Sequence, residues 1–533
     1  MKKVWWIVVL AVLCGSVVGV WAEEPAQTAP STVSAMIDEA LKGLASEDAA
    51  VQEAAVQTLI TRGDAGLLPK LEAMRAEGDR SLRMAIKPVL DLLKNKTKLT
   101  SQKQEDRRSA AADLATTGNP MALVWLEAAL PAEQDRWVRY QIEESIGLIK
   151  LADADPALKA AAATKLGELH SQNAVPALKE LAGSSTGSGQ APSAIPGQEQ
   201  AAGSGSGDQA PGQALVAKAA AEAIERIETW SSWTSAIETL FRGISLSSVL
   251  LLMALGLAII FGLMGVINMA HGEFMMLGAY ATFLTQEGFK AWLPPGLFDY
   301  YFLLAMPCSF LAAGLFGLLL EASLIRFLYG RPLETLLATW GVSLILIQGA
   351  RVVFGDLTSV VAPSWLSGGM QLMVGVQLPY NRMFIIGLAS VCVLGIYFLL
   401  FRTGVGLKVR AVMQNRNMSA CLAIPTRKVD AYTFAFGSGL AGLAGCALTL
   451  IGNVEPGLGQ NYIVDSFMVV VTGGVGKLAG TIVASLGIGG LNKLLEPSFG
   501  AVYGKVFILV LVILFLQWRP SGLFTIKGRH VES

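Results

Sequence analysis

Few residues in this chain could carry chemistry, and the most suggestive stand close together. Asn268, His271 and Glu273 follow directly on the apolar run 244–267. Ionisable groups at membrane depth are costly and are read first as functional. An amide, an imidazole and a carboxylate could guide a small polar solute by hydrogen bonds. The competing reading is a helix–helix turn, with Asn268 satisfying backbone groups and Glu273 capping the next helix. A second set, Thr339, Trp340, Ser343 and Gln348, lies on a later apolar stretch; Thr339 and Ser343 are i and i+4 and share a helix face. These residues suit either a polar pathway or helix–helix packing. Gly437, Gly439, Gly442 and Gly445 suit close packing.

Other chemistries fail on residue type. The run Gly473 to Leu478 resembles a fragment of a phosphate loop. However, Leu478 stands where a magnesium-binding Ser or Thr is required, and Val471 where the leading Gly is required. The three histidines, His170, His271 and His530, are far apart, so a His-rich metal centre is not expected. The five cysteines form no C-x-x-C pair and none lies in 23–229, so that region holds no disulfide. No catalytic residue, metal ligand or directly bound cofactor is assigned. Polar groups in the apolar spans are too few for a proton relay. The chain reads as a pore or permease subunit that takes its energy from a partner.

The elements that would position these residues fall into two unlike halves. Of 533 residues, 53% are hydrophobic and 15% charged, against about 25% charged in a typical soluble domain. Residues 23–229 carry 21 Lys+Arg and 29 Asp+Glu, whereas 230–533 carry 18 and 12. Residues 1–22 have a basic start, an apolar run from Val4 to Val20 and a plausible cleavage point after Ala22, so they read as a signal peptide or an uncleaved anchor helix. Residues 23–182 should then be extracytoplasmic. They repeat: Ala55, Leu59 and Leu71 align with Ala110, Leu114 and Leu126 and with Ala162, Leu166 and Leu178. Leu82, Ile86 and Leu93 likewise match Val138, Ile142 and Ile149, and Pro69 and Pro176 recur near helix starts. This is the pattern of HEAT-like helical hairpins. A Gly/Ser/Pro/Gln segment at 183–213 reads as a flexible linker. The segment 214–240 reads as a helix and a membrane interface carrying Trp230 and Trp233.

Apolar stretches at about 244–267, 273–289, 301–325, 333–354, 383–401, 430–452, 462–495 and 503–518 predict eight or nine spans. The long stretch 462–495 is expected to break at Gly473–Lys477 into two short helices. Positive charge on the loop 402–428, at Arg326 and Arg331, and on the tail places these parts and the carboxyl terminus in the cytoplasm. The fold class is therefore all-α: a polytopic membrane helix bundle with broken helices, preceded by an exported helical repeat region.

Four runs carry a family resemblance. Gly262 to Tyr280 is similar to the first block of the branched-chain amino-acid type ABC transporter permeases. Val409 to Arg416 resembles their cytoplasmic loop, and Val470 to Gly480 their broken-helix block. Arg519-Pro520-Ser521-Gly522-Leu523-Phe524 resembles their terminal motif. The resemblance covers about 240–527, with Lys477-Leu478-Ala479 a departure where small residues or Pro are more usual. Within the family the chain is most similar to the urea-transporter permease subunits, through Leu333 to Leu346, Ala362-Pro363-Ser364-Trp365 and the long exported region. The resemblance implies a transporter subunit of the bacterial inner membrane rather than an enzyme. Its implied partners are a second permease subunit, two cytoplasmic ATPases that use the ATP, and an extracytoplasmic substrate-binding protein. It also implies that 402–428 couples to an ATPase, with Arg410, Gln414 and Arg416 in polar contacts and Val409 and Met413 packing. Urea is the expected substrate; branched-chain amino acids or short amides are the alternative, with a passive channel or membrane scaffold behind them.

Overall fold

A computed structural model describes residues 30–44, 49–77, 79–117, 119–183 and 211–524. The expected signal peptide, 1–22, and most of the linker, 184–210, lie outside the described residues. The chain divides into two units, Met1–Glu228 and Thr229–Ser533.

The first unit is a run of short helices: α1 (Pro30–Gly43), α2 (Ala49–Arg62), α3 (Leu68–Glu77), α4 (Arg80–Lys98), α5 (Gln104–Thr116), α6 (Pro120–Ala129), α7 (Arg136–Leu151), α8 (Pro156–Glu168) and α9 (Val175–Gly183). Many begin on a polar cap. Asn119, Asp135 and Asp155 each accept a hydrogen bond from the backbone N–H two residues on, at 2.8–2.9 Å. Such caps satisfy donors that a helix start leaves open. α1 packs on α2, α3 on α4, α5 on α7 and α7 on α8. All nine aligned Ala and Leu positions are buried, as are Ile86, Leu93, Val138 and Ile142. The spacing in the sequence therefore marks the core face. One carboxylate, Glu144, is buried there, and it accepts hydrogen bonds from Ser171, Asn173 and Gln141 at 2.5, 3.2 and 2.8 Å. Those bonds replace the water that burial removes.

Arg107 and Glu133 form a two-pronged ion pair at 2.8 and 3.1 Å. The Arg107 hydrogen bond holds the Glu133 carboxyl below its ordinary range. A depressed carboxylate stabilises the fold above its unfolded pKa and loses that contribution as pH falls through its folded value. Amide exchange in 101–107 and 130–136 should accordingly be about tenfold slower in the wild type than in Glu133→Gln at pH 7. The two should converge once pH falls below the depressed folded value of Glu133. Equal exchange at neutral pH would show that the pair contributes nothing.

The second unit begins within α10 (Pro211–Met264), which contains the expected helical segment 214–240. It continues with α11 (His271–Trp292), α12 (Tyr301–Ser323), α13 (Pro332–Phe354), the antiparallel hairpin β1 (Gly369–Met373) and β2 (Val376–Pro379), α14 (Tyr380–Arg402), α15 (Gly404–Gln414), α16 (Arg416–Cys421), α17 (Thr426–Leu448), α18 (Leu458–Gly473) and α19 (Leu478–Trp518). Six helical stretches among the described residues are long and apolar enough to cross a membrane. The expected break falls between α18 and α19, and α19 is itself interrupted at Gly500, after Pro497.

Helices α10 and α17 are inner, with 83% and 78% of their most apolar windows buried, against 17% for α13, α14 and α19. α11 is also buried, packed on α12, α17 and α18. Glycines permit these approaches: Gly272 faces the Gly459 backbone, Gly278 the Gly442 backbone, and Gly445 the Met275 carbonyl. Small residues let membrane helices gain contact through close backbones. Lys505 of α19 reaches the buried Asp465 of α18 at 3.5 Å and the Asn461 carbonyl at 3.1 Å, so an intramembrane charge is paired.

Candidate functional site

Between α10 and α11 the helix is broken. Gly265, at φ +66, ends α10, and residues 265–270 form a non-helical link. Asn268 and His271 are fully buried and Glu273 is 1% exposed. Asn268 Oδ1 accepts from the Ala270 N–H at 3.0 Å, the local turn role considered from sequence. Glu273 does not cap its helix. Its Oε1 instead accepts from Ser343 Oγ on α13 at 2.9 Å. The link is further held by Thr339, whose Oγ1 accepts from the Met269 N–H at 3.2 Å. His271 Nε2 lies 3.2 Å from the Met253 carbonyl and so is the protonated nitrogen.

These contacts line up. Met269 meets Thr339, Glu273 meets Ser343, and Tyr280 stacks on Phe354 with centroids 4.3 Å apart. Both series ascend together, so α11 and α13 run parallel along one seam. Several buried polar atoms on the α11 side have no protein partner: Asn268 Nδ2, His271 Nδ1, Glu273 Oε2 and the Tyr280 hydroxyl. A buried donor or acceptor left open costs about 1–3 kcal/mol, which makes a run of them a place for a polar ligand or water. Of the four sequence candidates on α13, Thr339 and Ser343 belong to the seam. Trp340 is half exposed, and Gln348 is exposed with its Oε1 3.4 Å from Arg351. These two are not brought to it. Tyr280 and Phe354 were not among the sequence candidates, because nothing local marks which aromatics of two separate spans will meet.

At one end of the bundle, separate sequence blocks meet. A Cβ on Gly262 would lie 2.9 Å from Met413 Cε and 3.0 Å from Gly476 Cα. Gly522 (φ +74) packs on the Gly474 turn, and the Leu523 N–H donates to the Thr472 carbonyl at 2.8 Å. α15 is capped by Thr403 and α16 by Asn415. Val409 is buried and Met413 reaches Gly262, so both anchor α15 within the chain. Arg416 also turns inward. It binds both Asp430 carboxylate oxygens at 3.1 and 2.5 Å, donates to Tyr329 Oη at 2.7 Å and stacks on that ring. Arg410 and Gln414 remain exposed. Asp430 is the single acid between 402 and 430, a signal that could have pointed to this pairing.

A family model described as "Branched-chain amino acid transport system / permease component" matches residues 239–516, just over half the chain. The chain belongs to that permease family. It is 29% identical to the high-affinity branched-chain amino acid transport system permease protein BraD of Pseudomonas aeruginosa, over 54% of this chain and 95% of the relative. It is 27% identical to the corresponding LivH protein of Escherichia coli K12, over 54% and 94%. A ribose import permease protein, RbsC of Haemophilus influenzae, is 26% identical over 35% of this chain and 60% of its own length. No solved structure gives a significant match. The permease match leaves residues 1–238 outside the family model. The chain is thus a multi-pass membrane component of a branched-chain amino-acid type ABC importer, a class that works with ATPase and binding-protein partners.

Proposed function

We propose that this permease passes a small neutral amide, urea in the first instance, along the seam between α11 and α13. The observation that carries the reading is the pair of open groups on side chains that already touch α13: Glu273 Oε2, an acceptor, and the Tyr280 hydroxyl, a donor or acceptor. Urea has four N–H donors and one carbonyl, so a carboxylate and a hydroxyl complement it without a full charge pair. An amino acid would also require a cation for its carboxylate. Arg351, on α13, is half exposed and is already paired with Asp356 at 3.0 Å. The branched-chain amino-acid reading is favoured by the names of the relatives and stands as the second. Labelled urea and leucine uptake, compared in cells with and without the gene, separates the two. Urea uptake lost alone, and abolished by ATP depletion in intact cells, supports the first; leucine uptake lost alone replaces the substrate.

In this reading the carboxyl terminus and α15–α16 face the cytoplasm, where Arg410 and Gln414 contact an ATPase while Val409, Met413 and Arg416 brace the helices that present them. A second permease subunit completes the membrane part. The first unit is a HEAT-like stack outside the cytoplasm, supported by its nine buried repeat positions. Its extended surface docks the binding protein. Deleting residues 23–213 with the leader kept should lower uptake at limiting substrate at least tenfold; full-rate transport by that variant would remove this role.

A further inference from the structure

A cavity of about 360 Å³ opens between the end of α14, α15 and the start of α17. Its wall is apolar and aromatic, including Leu399, Val409, Tyr432 and Phe436, and two lysines, Lys408 and Lys428, complete it. Two of the helices that wall it, α14 and α17, are long and apolar enough to cross a membrane; Lys428 lies in the first turn of α17 and Lys408 on α15, the short helix that follows α14. The charge here is unbalanced. Among the described residues, no carboxylate lies within ion-pairing distance of Arg402, Lys408, Arg410, Arg427, Lys428 or Lys477, and the nearby acid Asp430 is committed to Arg416. Cations at the mouth of an apolar chamber beside a membrane interface match the two parts of one kind of molecule. Basic pockets between membrane helices favour anionic headgroups, while the apolar wall accepts hydrocarbon.

We propose that this cavity holds an acyl chain of an anionic phospholipid whose phosphate pairs with Lys408 and Lys428. The site is distinct from the α11–α13 seam and requires only that α14 and α17 span the membrane. The test uses the purified full-length chain in detergent, titrated with phosphatidylglycerol or phosphatidylcholine of the same acyl chains and read by native mass spectrometry. Phosphatidylglycerol should bind about thirtyfold more tightly, a factor set by two interfacial cations. The preference should be lost in Lys408→Gln/Lys428→Gln and kept in Lys408→Arg/Lys428→Arg. Raising salt from about 0.1 to about 0.5 M should weaken the wild type's phosphatidylglycerol binding alone, a check that needs no variant. Equal binding of the two lipids overturns the site. So does a Gln pair that keeps the preference, or one that leaves lipid binding intact and instead weakens capture of an ATPase subunit.

Discussion

Gly278→Leu should abolish assembly of the membrane unit. A Cβ at Gly278 would overlap the carbonyl oxygen and Cα of Gly442. Gly442 has no room to retreat, because its own other side faces the Ser309 carbonyl and Ala313. Three helices, α11, α12 and α17, thus meet at backbone distance. When the obstacle is a backbone rather than a flexible side chain, relief requires separating helices. Overpacking in a core costs about 1–3 kcal/mol when side chains can yield; here the cost should exceed about 4 kcal/mol, the range of the most damaging substitutions. Gly288→Leu on the same helix is the control, since nothing lies within 4 Å of its Cβ position. Size-exclusion profiles of detergent-extracted protein should show a single sharp peak for Gly288→Leu and aggregate for Gly278→Leu. A normal profile for Gly278→Leu would mean that α11 and α17 are farther apart than described.

Glu273→Gln should lower substrate uptake at least tenfold in the reconstituted transporter while leaving the protein as stable as before, or more so. The two effects have one origin. The carboxylate is buried, it receives one hydrogen bond from Ser343, and its second oxygen is open. A buried carboxyl with an open oxygen burdens its host, and its amide isostere carries no charge to bury. If the open oxygen receives the N–H groups of a passing solute, the same change weakens a charge-assisted hydrogen bond worth about 1.5–3 kcal/mol, roughly a factor of ten or more in rate. Ser343→Ala should have a smaller effect, about threefold, because it frees the carboxylate without removing it. Falling melting temperature and uptake together would mark Glu273 as structural and would move the pathway elsewhere.

Much of this arrangement is legible in the residues. The repeat of Ala55, Ala110 and Ala162 with their partner leucines marks the buried face of the first unit, because helix periodicity and core burial are the same signal. The glycine run between α18 and α19 announces a break because a single spanning helix cannot be so long or so rich in Gly. What is not legible is which blocks meet. Gly262, Met413, Gly476 and Gly522 are scattered over some 260 residues of sequence, yet they close around one end of the bundle. Nothing in local pattern encodes that convergence, which depends on the order in which spans pack. The partners of Val409 and Arg416 are hidden for the same reason: that one packs and the other makes polar contacts is read from residue type, but what each meets is fixed only when the covering elements are in place. Glu273 looked like a helix cap because its natural partner, Ser343, is 70 residues away.

The embrace of Arg416 has a mechanical corollary. One guanidinium clasps Asp430, in the first turns of α17, and Tyr329, three residues before α13 begins. The start of a short helix is thereby tied to two longer ones. The same clasp sits just before α13, and α13 is one wall of the parallel seam that holds Glu273. The linkage resembles a crank pin: three hydrogen bonds and a stacked ring gather the starts of α16 and α17 and the approach to α13 on one guanidinium.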